Sequence, residues 1–301
     1  MKKKILVVIG GPTCVGKSDL CIDLAKKFNT EIISADSRQF YKELNIGVAK
    51  LPEKKLNTVK HHLINNKSIN ENYSIGEYQK DFSEISKKIF KKKDIIFLCG
   101  GSGLYIEAVC QGLNKIPEVA PDIRSKLYQD LEKYGLEKLN AKLKKYDFNS
   151  WKKIDLKNPR KVIRCLEVYF STKKTISSFL NKKLEEKEFE ILYFFLNQER
   201  KLLYEKINNR VEKMISNGLQ NEVRKVILQK DRKPLQTIGY KEFFDFFEKK
   251  QSLEKTISLI KQNTRRYAKR QITWFKGKKY IEIDVSETKE IEKIIKKKRE
   301  D

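Results

Sequence analysis

The sequence predicts an α/β fold in which a parallel sheet is flanked by helices and an all-helical subdomain is inserted into the chain. Short apolar runs, typical of buried parallel strands, alternate with amphipathic helical stretches near both ends of the chain. Two glycine-rich turns, beginning at Gly11 and Gly100, directly follow two of these runs. In a parallel sheet, ligands bind at the edge where the strands end. These turns therefore mark the expected ligand site.

The first glycine turn carries a phosphate-binding motif. It matches G-x-x-x-x-G-K-[ST] in full, and it lies between an apolar run, Ile5 to Ile9, and an amphipathic helix. The glycines allow backbone amides to point at phosphate oxygens, the lysine adds a charge for the terminal phosphate, and the serine supplies a hydroxyl for Mg²⁺. The predicted phosphate-binding residues are Gly11, Pro12, Thr13, Cys14, Val15, Gly16, Lys17 and Ser18. The sheet is therefore predicted to be P-loop NTPase-like.

Asp36 follows the second predicted strand, Glu31 to Ala35, and so should lie beside the phosphate loop. An Asp in this position also suits the N-cap of a helix. The third predicted strand, Ile95 to Cys99, ends at the turn Gly100 to Gly103. P-loop hydrolases commonly carry an acidic residue at the end of such a strand to hold magnesium. Because this strand ends in Cys99, we expect phosphate to be bound without being hydrolysed.

The rest of the chain predicts one catalytic core and one insertion. Charged helical sequence without strand-like runs indicates a helical subdomain at 114–188, which leaves 1–113 and 189–301 as the core. Strands are predicted again at Ile191 to Leu196 and at Lys279 to Asp284. Residues 45–67 are predicted to be loop. Their two histidines, His61 and His62, suit a substrate contact or a local hydrogen bond better than a metal site.

Composition limits the class of protein. The chain has 66 basic and 40 acidic side chains and a formal charge of +26, which favours a polyanionic partner, with nucleic acid the leading candidate. The alternative is that many lysines only solvate helix faces. Five cysteines without C-x-x-C spacing argue against a disulfide framework and a zinc site. No apolar stretch has the length of a membrane span or signal peptide, so we expect a cytoplasmic protein without membrane contact.

Several separated motifs along the chain agree with one known family. They include the phosphate loop and the segment from Asp36 to Tyr41. They also include segments 45–50, 100–105, 158–168, 236–240 and 268–275. By the order and spacing of these motifs, nearly from end to end, the chain resembles the tRNA dimethylallyltransferases. The resemblance implies a P-loop enzyme with two substrates, dimethylallyl diphosphate and the anticodon stem-loop of a tRNA, and with Mg²⁺ as its cofactor. We expect a monomer.

The family reaction transfers the dimethylallyl group to N6 of the adenosine at position 37 of tRNA, immediately 3′ of the anticodon. The resemblance implies that Asp36 is the general base for this amine. It places Ser102 near the leaving oxygen and makes Arg210 the arginine that clamps the diphosphate beside Lys17. The helical insertion would grip the anticodon stem.

The resemblance also assigns tRNA contacts to three segments of this chain. These residues are Asp36, Ser37, Arg38 and Gln39; Arg160, Lys161, Val162, Ile163 and Arg164; and Gln236, Thr237, Ile238, Gly239, Tyr240 and Lys241. The sequence departs from the family pattern at Lys60 and Asn65, where the family usually has proline and aspartate. Ser18 and Ser102 stand where threonine is common, and both keep the hydroxyl.

Two other functions remain open from the sequence. A small-molecule or nucleoside kinase shares the phosphate loop and basic helices, but the missing acid at the strand end and the distant motifs disfavour it. A noncatalytic RNA-binding module accounts for the charge, but it leaves the paired glycine turns around Asp36 without a role.

Overall fold

The computed structural model describes residues 3–114, 116–180 and 187–300. The chain forms two compact units, one of residues 1–111 with 187–301 and one of residues 112–186. The first unit contains the sheet. The second contains only helices within its described part. The limits of the insertion expected from the sequence were 114 and 188.

A six-stranded parallel sheet forms the centre of the first unit. Its strands are β1 (Ile5–Gly10), β2 (Ile32–Ser34), β3 (His61–His62), β4 (Ile95–Cys99), β5 (Glu190–Asn197) and β6 (Ile281–Asp284). The spatial order is β3-β2-β4-β1-β5-β6, and every pairing is parallel. The predicted fold class is therefore confirmed.

Alternate residues of the central strands pack on opposite faces of the sheet. Leu6 and Val8 join one apolar core, whereas Ile5, Val7 and Ile9 join the other. Because both faces are covered, β1 needs apolar side chains throughout and forms a continuous apolar run in the sequence.

Twelve α-helices are found in the described part of the chain. They are α1 (Lys17–Lys27), α2 (Glu53–Leu56), α3 (Ile75–Phe90), α4 (Gly103–Gln111), α5 (Pro121–Tyr146), α6 (Phe148–Lys153), α7 (Pro159–Thr172), α8 (Arg200–Ser216), α9 (Leu219–Val226), α10 (Lys241–Phe247), α11 (Leu253–Lys276) and α12 (Lys289–Glu300). No helix in these described stretches has the length and apolar content that crossing a bilayer requires.

The prediction of loop at 45–67 was wrong in part, because this segment contains α2 and the edge strand β3. A strand of two residues is too short to show an alternating pattern, so periodicity could not reveal it. Both histidines make local hydrogen bonds. His61 Nδ1 lies 2.7 Å from the Val59 carbonyl, and His62 Nε2 lies 2.6 Å from Glu31 Oε2.

The second unit is a small helical cluster with its own core. Leu127, Leu139 and Leu143 of α5 pack with Val162 and Leu166 of α7, and all five side chains are buried. Helix α5 is interrupted at Gly135, whose φ of 75° is outside the helical region.

One carboxylate fixes the loop at 45–50. Glu222 of α9 accepts hydrogen bonds from the backbone amides of Asn45, Ile46 and Gly47, at 3.1, 2.9 and 2.9 Å. The Tyr240 hydroxyl donates to the same carboxylate at 2.5 Å. A Cβ at Gly47 would lie 2.4 Å from the Tyr240 ring, so only glycine allows this approach. Two of the separated family-like motifs, 45–50 and 236–240, are thus held together by Glu222.

Lys50 ties the other end of the same loop, using only neutral acceptors. Its ammonium donates to the Tyr41 carbonyl at 2.9 Å, to Asn45 Oδ1 at 2.9 Å and to Asn65 Oδ1. Burial lowers the pKa of Lys50 to about 8, although the nearby carboxylates of Glu222 and Glu43 oppose this shift. Because the pKa of Lys50 is lower in the folded chain than in the unfolded chain, keeping this lysine charged lowers the free energy of unfolding below pH 8. This loss of stability disappears as the pH rises from 8 toward the ordinary lysine pKa.

Replacing Asn65 with aspartate should therefore stabilise the chain in a pH-dependent way. The added carboxylate would raise the pKa of Lys50 and turn a neutral contact into a charge-assisted hydrogen bond. We expect Asn65→Asp to increase the free energy of unfolding by roughly 1 kcal/mol at neutral pH, as for a favourable ion pair. Near pH 10, where Lys50 loses its proton, the gain should vanish. Urea unfolding at both pH values measures this difference.

Asn57→Asp is the matched control, because the variant adds the same charge to the same region and Asn57 is not among the hydrogen-bond partners of Lys50. Asn57 is the C-cap of α2, where a carboxylate opposes the helix dipole, so this variant should give no stabilisation and a similar change in stability at both pH values. An equal gain from Asn65→Asp at neutral pH and near pH 10 would contradict the role assigned to Lys50.

Candidate active site

Three loops meet at the carboxyl ends of the adjacent strands β2, β4 and β1. The phosphate loop follows β1, Asp36 follows β2, and the turn Gly100 to Gly103 follows β4. They surround a cavity of about 280 Å³. Its lining residues are Thr13, Cys14, Gly16, Lys17, Ser18, Asp19, Asp36, Gln39, Ala49, Leu51, Cys99, Gly100, Gly101, Arg210, Tyr267 and Gln271.

The backbone of the phosphate loop has positive φ values, which are unfavourable for residues other than glycine. Gly11 and Gly16 have φ of 148° and 99°, and Cys14 also has a positive φ of 67°. A Cβ at Gly11 would lie 2.6 Å from the Leu196 carbonyl oxygen. This conformation curls the loop directly before α1, and a helix N-terminus favours negative charge. The geometry therefore suits a phosphate ligand.

Lys17 supplies the charge in the floor of this cavity. Its Nζ donates to the Pro12 carbonyl at 2.7 Å. Burial lowers the pKa of Lys17, while Cys99 and the carboxylate of Asp36 oppose that shift. Because a buried cation is unfavourable without a counterion, an anion bound in the cavity would stabilise the charged lysine.

Arg210 reaches the phosphate loop from α8. Its Nη1 donates to Thr13 Oγ1 at 2.9 Å and lies 3.3 Å from Cys14 Sγ. The structure thus brings Arg210 next to Lys17 at one cavity, although the two residues are far apart in sequence. A guanidinium in this position offers planar donors for phosphate oxygens.

Gln271 of α11 joins the two glycine turns. Its Oε1 accepts from the Thr13 amide and its Nε2 donates to the Gly101 carbonyl, both at 2.9 Å. A Cβ at Gly101 would lie 2.2 Å from Nε2 of this glutamine, so a larger residue there would displace the amide that joins the two turns. Sequence patterns alone assigned Gln271 no role. The available signal was its place in the family-like segment 268–275.

Ser102 joins the second glycine turn to the Asp36 turn. Its Oγ accepts from the Ser37 amide at 3.0 Å, and Tyr267 lines the cavity nearby. Burial, together with the charge of Asp36, raises the pKa of Tyr267 to about 12, so this phenol stays protonated near neutral pH. Tyr267 is another residue of the cavity that sequence patterns did not identify.

Asp36 is held by its own turn. Its Oδ1 accepts from the Arg38 amide at 2.9 Å, and its amide lies 3.3 Å from Ser34 Oγ. No helix begins after Asp36, so the N-cap interpretation is wrong and the carboxylate makes a local turn instead. Ser37, Arg38 and Gln39 continue this turn, and all three are partly buried.

The predicted tRNA contacts on α7 separate into two faces of the helix. Arg160 and Lys161 are exposed, and Arg164 is partly exposed and paired with Glu167 at 2.6 Å. In contrast, Val162 and Ile163 are buried in the core of the second unit. Because apolar side chains on one helical face pack inward, these two cannot present their side chains to an RNA, and their predicted contacts need correction.

The segment 236–241 shows the same division. Gln236 and Lys241 are exposed, and Thr237 and Ile238 are partly buried. Gly239 and Tyr240 are buried, and the Gly239 amide donates to Glu242 Oε2 at 2.8 Å. The side chain of Tyr240 therefore has a structural role, through its contact with Glu222.

A second cavity, of about 760 Å³, lies beside the first. The two share Ala49, Leu51 and Arg210 as lining residues. Lys50 and Lys213 also line the larger cavity, so a cationic path leads to Arg210 and the phosphate loop. Such a path would attract an anionic ligand.

Comparisons with known proteins agree on one family. The family model described as IPP transferase matches residues 39–278. The tRNA dimethylallyltransferase of Christiangramia forsetii is 46% identical over 282 residues, which cover 93% of each chain. That of Flavobacterium johnsoniae is 42% identical over 279 residues, which cover 91% of this chain and 90% of the relative.

Solved structures lead to the same result. The full-length tRNA isopentenylpyrophosphate transferase from Bacillus halodurans is 35% identical, with a TM-score of 0.73 over 99% of this chain and 97% of that one. A eukaryotic dimethylallyltransferase acting on tRNA is 28% identical, with a TM-score of 0.76 over 93% of this chain and 74% of that one. With the family model and the two relatives above, both of them tRNA dimethylallyltransferases, these similarities show that the chain belongs to the IPP transferase family.

Proposed function

We propose that this chain transfers a dimethylallyl group from dimethylallyl diphosphate to N6 of the adenosine immediately 3′ of the anticodon of a tRNA. The observation that carries the proposal is the convergence of the phosphate loop and Asp36 on one cavity, with Ser102 hydrogen-bonded to the turn that holds Asp36. Membership of the family supports the same reaction.

The phosphate loop would bind the diphosphate as the leaving group. During the reaction the bond from C1 of the prenyl group to its oxygen breaks, and the electron pair goes to the diphosphate. Lys17 and Arg210, which both line the cavity, are placed to stabilise this growing negative charge. Ser102 lies on the neighbouring turn, where its hydroxyl can meet the leaving oxygen.

Asp36 would take the proton from the attacking amine. The N6 lone pair forms the new bond to C1, and the amine must lose a proton as it does so. Asp36 lines the same cavity as the phosphate loop, and its backbone turn is fixed by Ser102 through the Ser37 amide. A base held in this way needs little rearrangement in the transition state.

The acceptor adenine would have to leave the anticodon loop to reach this cavity. Enzymes that act on a stacked base extrude the nucleotide into a pocket and contact its backbone outside. The exposed cations Arg160, Lys161 and Lys241 suit such backbone contacts. The net charge of +26 is consistent with an RNA substrate.

Magnesium fits the residues of the cavity. Mg²⁺ is usually held by one or two protein oxygens together with substrate phosphates. Ser18 lines the cavity at the start of α1, and its hydroxyl would hold the ion. Across the described residues there is no cluster of three His, Cys, Asp or Glu that could hold a metal without a phosphate. When bound, the ion would neutralise charge on the diphosphate oxygens.

The kinase alternative explains fewer of these observations. A kinase would also use the phosphate loop and the basic residues, but it gives no role to the family-like segments at 236–240 and 268–275. The strand β4 ends in Cys99 rather than in the acidic residue that commonly holds magnesium in P-loop hydrolases.

The reaction can be tested by the mass of the RNA product. An unmodified anticodon stem-loop with adenosine 3′ of the anticodon is incubated with the protein, Mg²⁺ and dimethylallyl diphosphate. We expect the RNA to gain one dimethylallyl group at that adenosine, and a stem-loop with guanosine there to gain none. An unchanged mass with folded protein, or turnover of ATP in its place, would contradict the proposal.

The role of Asp36 can be tested by a single substitution. Asp36→Asn should retain the fold and the affinity for diphosphate but slow the chemical step by roughly 100-fold or more, because a general base is lost. Single-turnover kinetics with prebound stem-loop measure this step directly. Asp19→Asn is the matched control, since Asp19 also lines the cavity but is paired with Lys55. Equal rates for the two variants would exclude Asp36 as the base.

A further inference from the structure

The second unit carries an aromatic pair on its surface. Phe148 and Trp151 stand three residues apart on α6, so they share one face of the helix. Their ring centroids are 5.7 Å apart and the rings are inclined by only 10°. Trp151 packs partly against the core of the unit, whereas Phe148 is 45% exposed. One ring is thus anchored and the other is presented to solvent.

Lysines surround these two rings. Lys152 Nζ lies 4.5 Å from the centroid of the Phe148 ring, and Lys144 Nζ lies 5.0 Å from that of Trp151. The segment 142–161 contains eight lysine or arginine residues and two aspartates. Of these aspartates, Asp147 is buried and caps α6 through the Ser150 amide. The exposed charge beside the rings is therefore strongly positive.

Aromatic rings with neighbouring cations match one ligand chemistry closely. Unpaired nucleotides offer a planar base for stacking and a phosphate for the lysines. An acidic peptide would use the charges but has no planar group for the ring. A membrane surface would require a longer amphipathic helix than the six residues of α6.

We propose that the pair Phe148–Trp151, together with Lys144 and Lys152, binds unpaired nucleotides of an RNA. The inference rests on the proposed function, because the RNA would be the tRNA substrate, and it assigns a stacking contact outside the cavity. It adds to the exposed cations Arg160 and Lys161 at the start of α7, which offer charge alone.

The affinity of the full chain for the anticodon stem-loop tests the proposal. Phe148→Ala should weaken binding by roughly 5-fold or more, as the loss of one base–aromatic stack does. Phe148→Tyr, which keeps the ring, should restore it. Tyr134→Ala is the matched control: Tyr134 is also 45% exposed and has Lys138 over its ring at 3.7 Å, but it is not part of the stacked pair Phe148–Trp151. We expect this variant to bind as the unsubstituted chain does.

The charge contribution can be measured separately. Lys144→Gln with Lys152→Gln should reduce the slope of log affinity against log salt by about two, because each lysine would neutralise one phosphate of the RNA. Weaker binding with an unchanged salt slope would show that the two lysines do not contact RNA phosphates, and it would contradict the role proposed for them.

A spectroscopic signal reports on the surface without any substitution. The chain has two tryptophans, Trp151 and Trp274. In the 5-fluorotryptophan protein, the ¹⁹F resonance of Trp151 should shift on adding a single-stranded oligonucleotide, and it should not move with an RNA duplex or poly-glutamate.

Two outcomes separate this inference from the proposed function. If the stem-loop is prenylated normally and Phe148→Ala binds it with unchanged affinity, the proposed RNA contact at Phe148 is wrong and the proposed enzyme activity is retained. If no prenyl group is transferred but the Phe148 and fluorine experiments give the expected results, the RNA contact is retained and the proposed activity is wrong. A shift of the Trp151 resonance with poly-glutamate alone would assign the surface to an acidic peptide and overturn the proposal.

Discussion

The side chain of Gln271 connects the parts of this site that the sheet alone does not connect. The phosphate loop and the turn Gly100 to Gly103 follow neighbouring parallel strands, but strand pairing does not fix the conformation of the two turns relative to each other. Gln271 accepts from one and donates to the other at 2.9 Å, although it stands 170 residues after Gly101 in the sequence. Both the oxygen and the nitrogen of this buried side-chain amide are hydrogen-bonded, and losing either bond would cost free energy because the polar atom would stay buried without a partner. The two turns are therefore held at a fixed separation around the cavity.

The cationic side chains that line the cavity remain available to bind an anionic ligand. Lys17 and Arg210 line the cavity at the phosphate loop, and Asp36 lines the same cavity. The loop at 45–50 is held by one anion, Glu222, and one cation, Lys50, each bonded mainly to neutral partners. The walls are thus fixed by contacts that do not consume the charges facing the ligand. This leaves the positive field of the cavity available to a diphosphate.

Local sequence patterns predicted those features that depend on neighbouring residues. The strand β1 and the helix that follows the phosphate loop were both predicted from short motifs, and the structure confirms them. The burial of Val162 and Ile163 could also have been predicted, since apolar residues recur at helical spacing along α7. The family motifs had instead suggested that the whole segment contacts RNA.

Contacts between distant parts of the chain could not be predicted in this way. Glu222 lies 175 residues from Gly47, and nothing in the surroundings of either residue indicates that they meet. The same holds for Gln271, an ordinary polar residue of a basic helix. The edge strand β3 contains only two residues, so it shows no periodicity. Each of these features arises from tertiary packing, which a single sequence does not display.

The most direct test of the proposed chemistry is a crystal structure of the chain with Mg²⁺ and a thiolodiphosphate analogue of dimethylallyl diphosphate. We expect the diphosphate to lie against the amides of the phosphate loop, with Lys17 and Arg210 on its oxygens, and the prenyl C1 to face Asp36. An analogue bound in the larger cavity between Lys50 and Lys213, with its prenyl group away from Asp36, would contradict this mechanism.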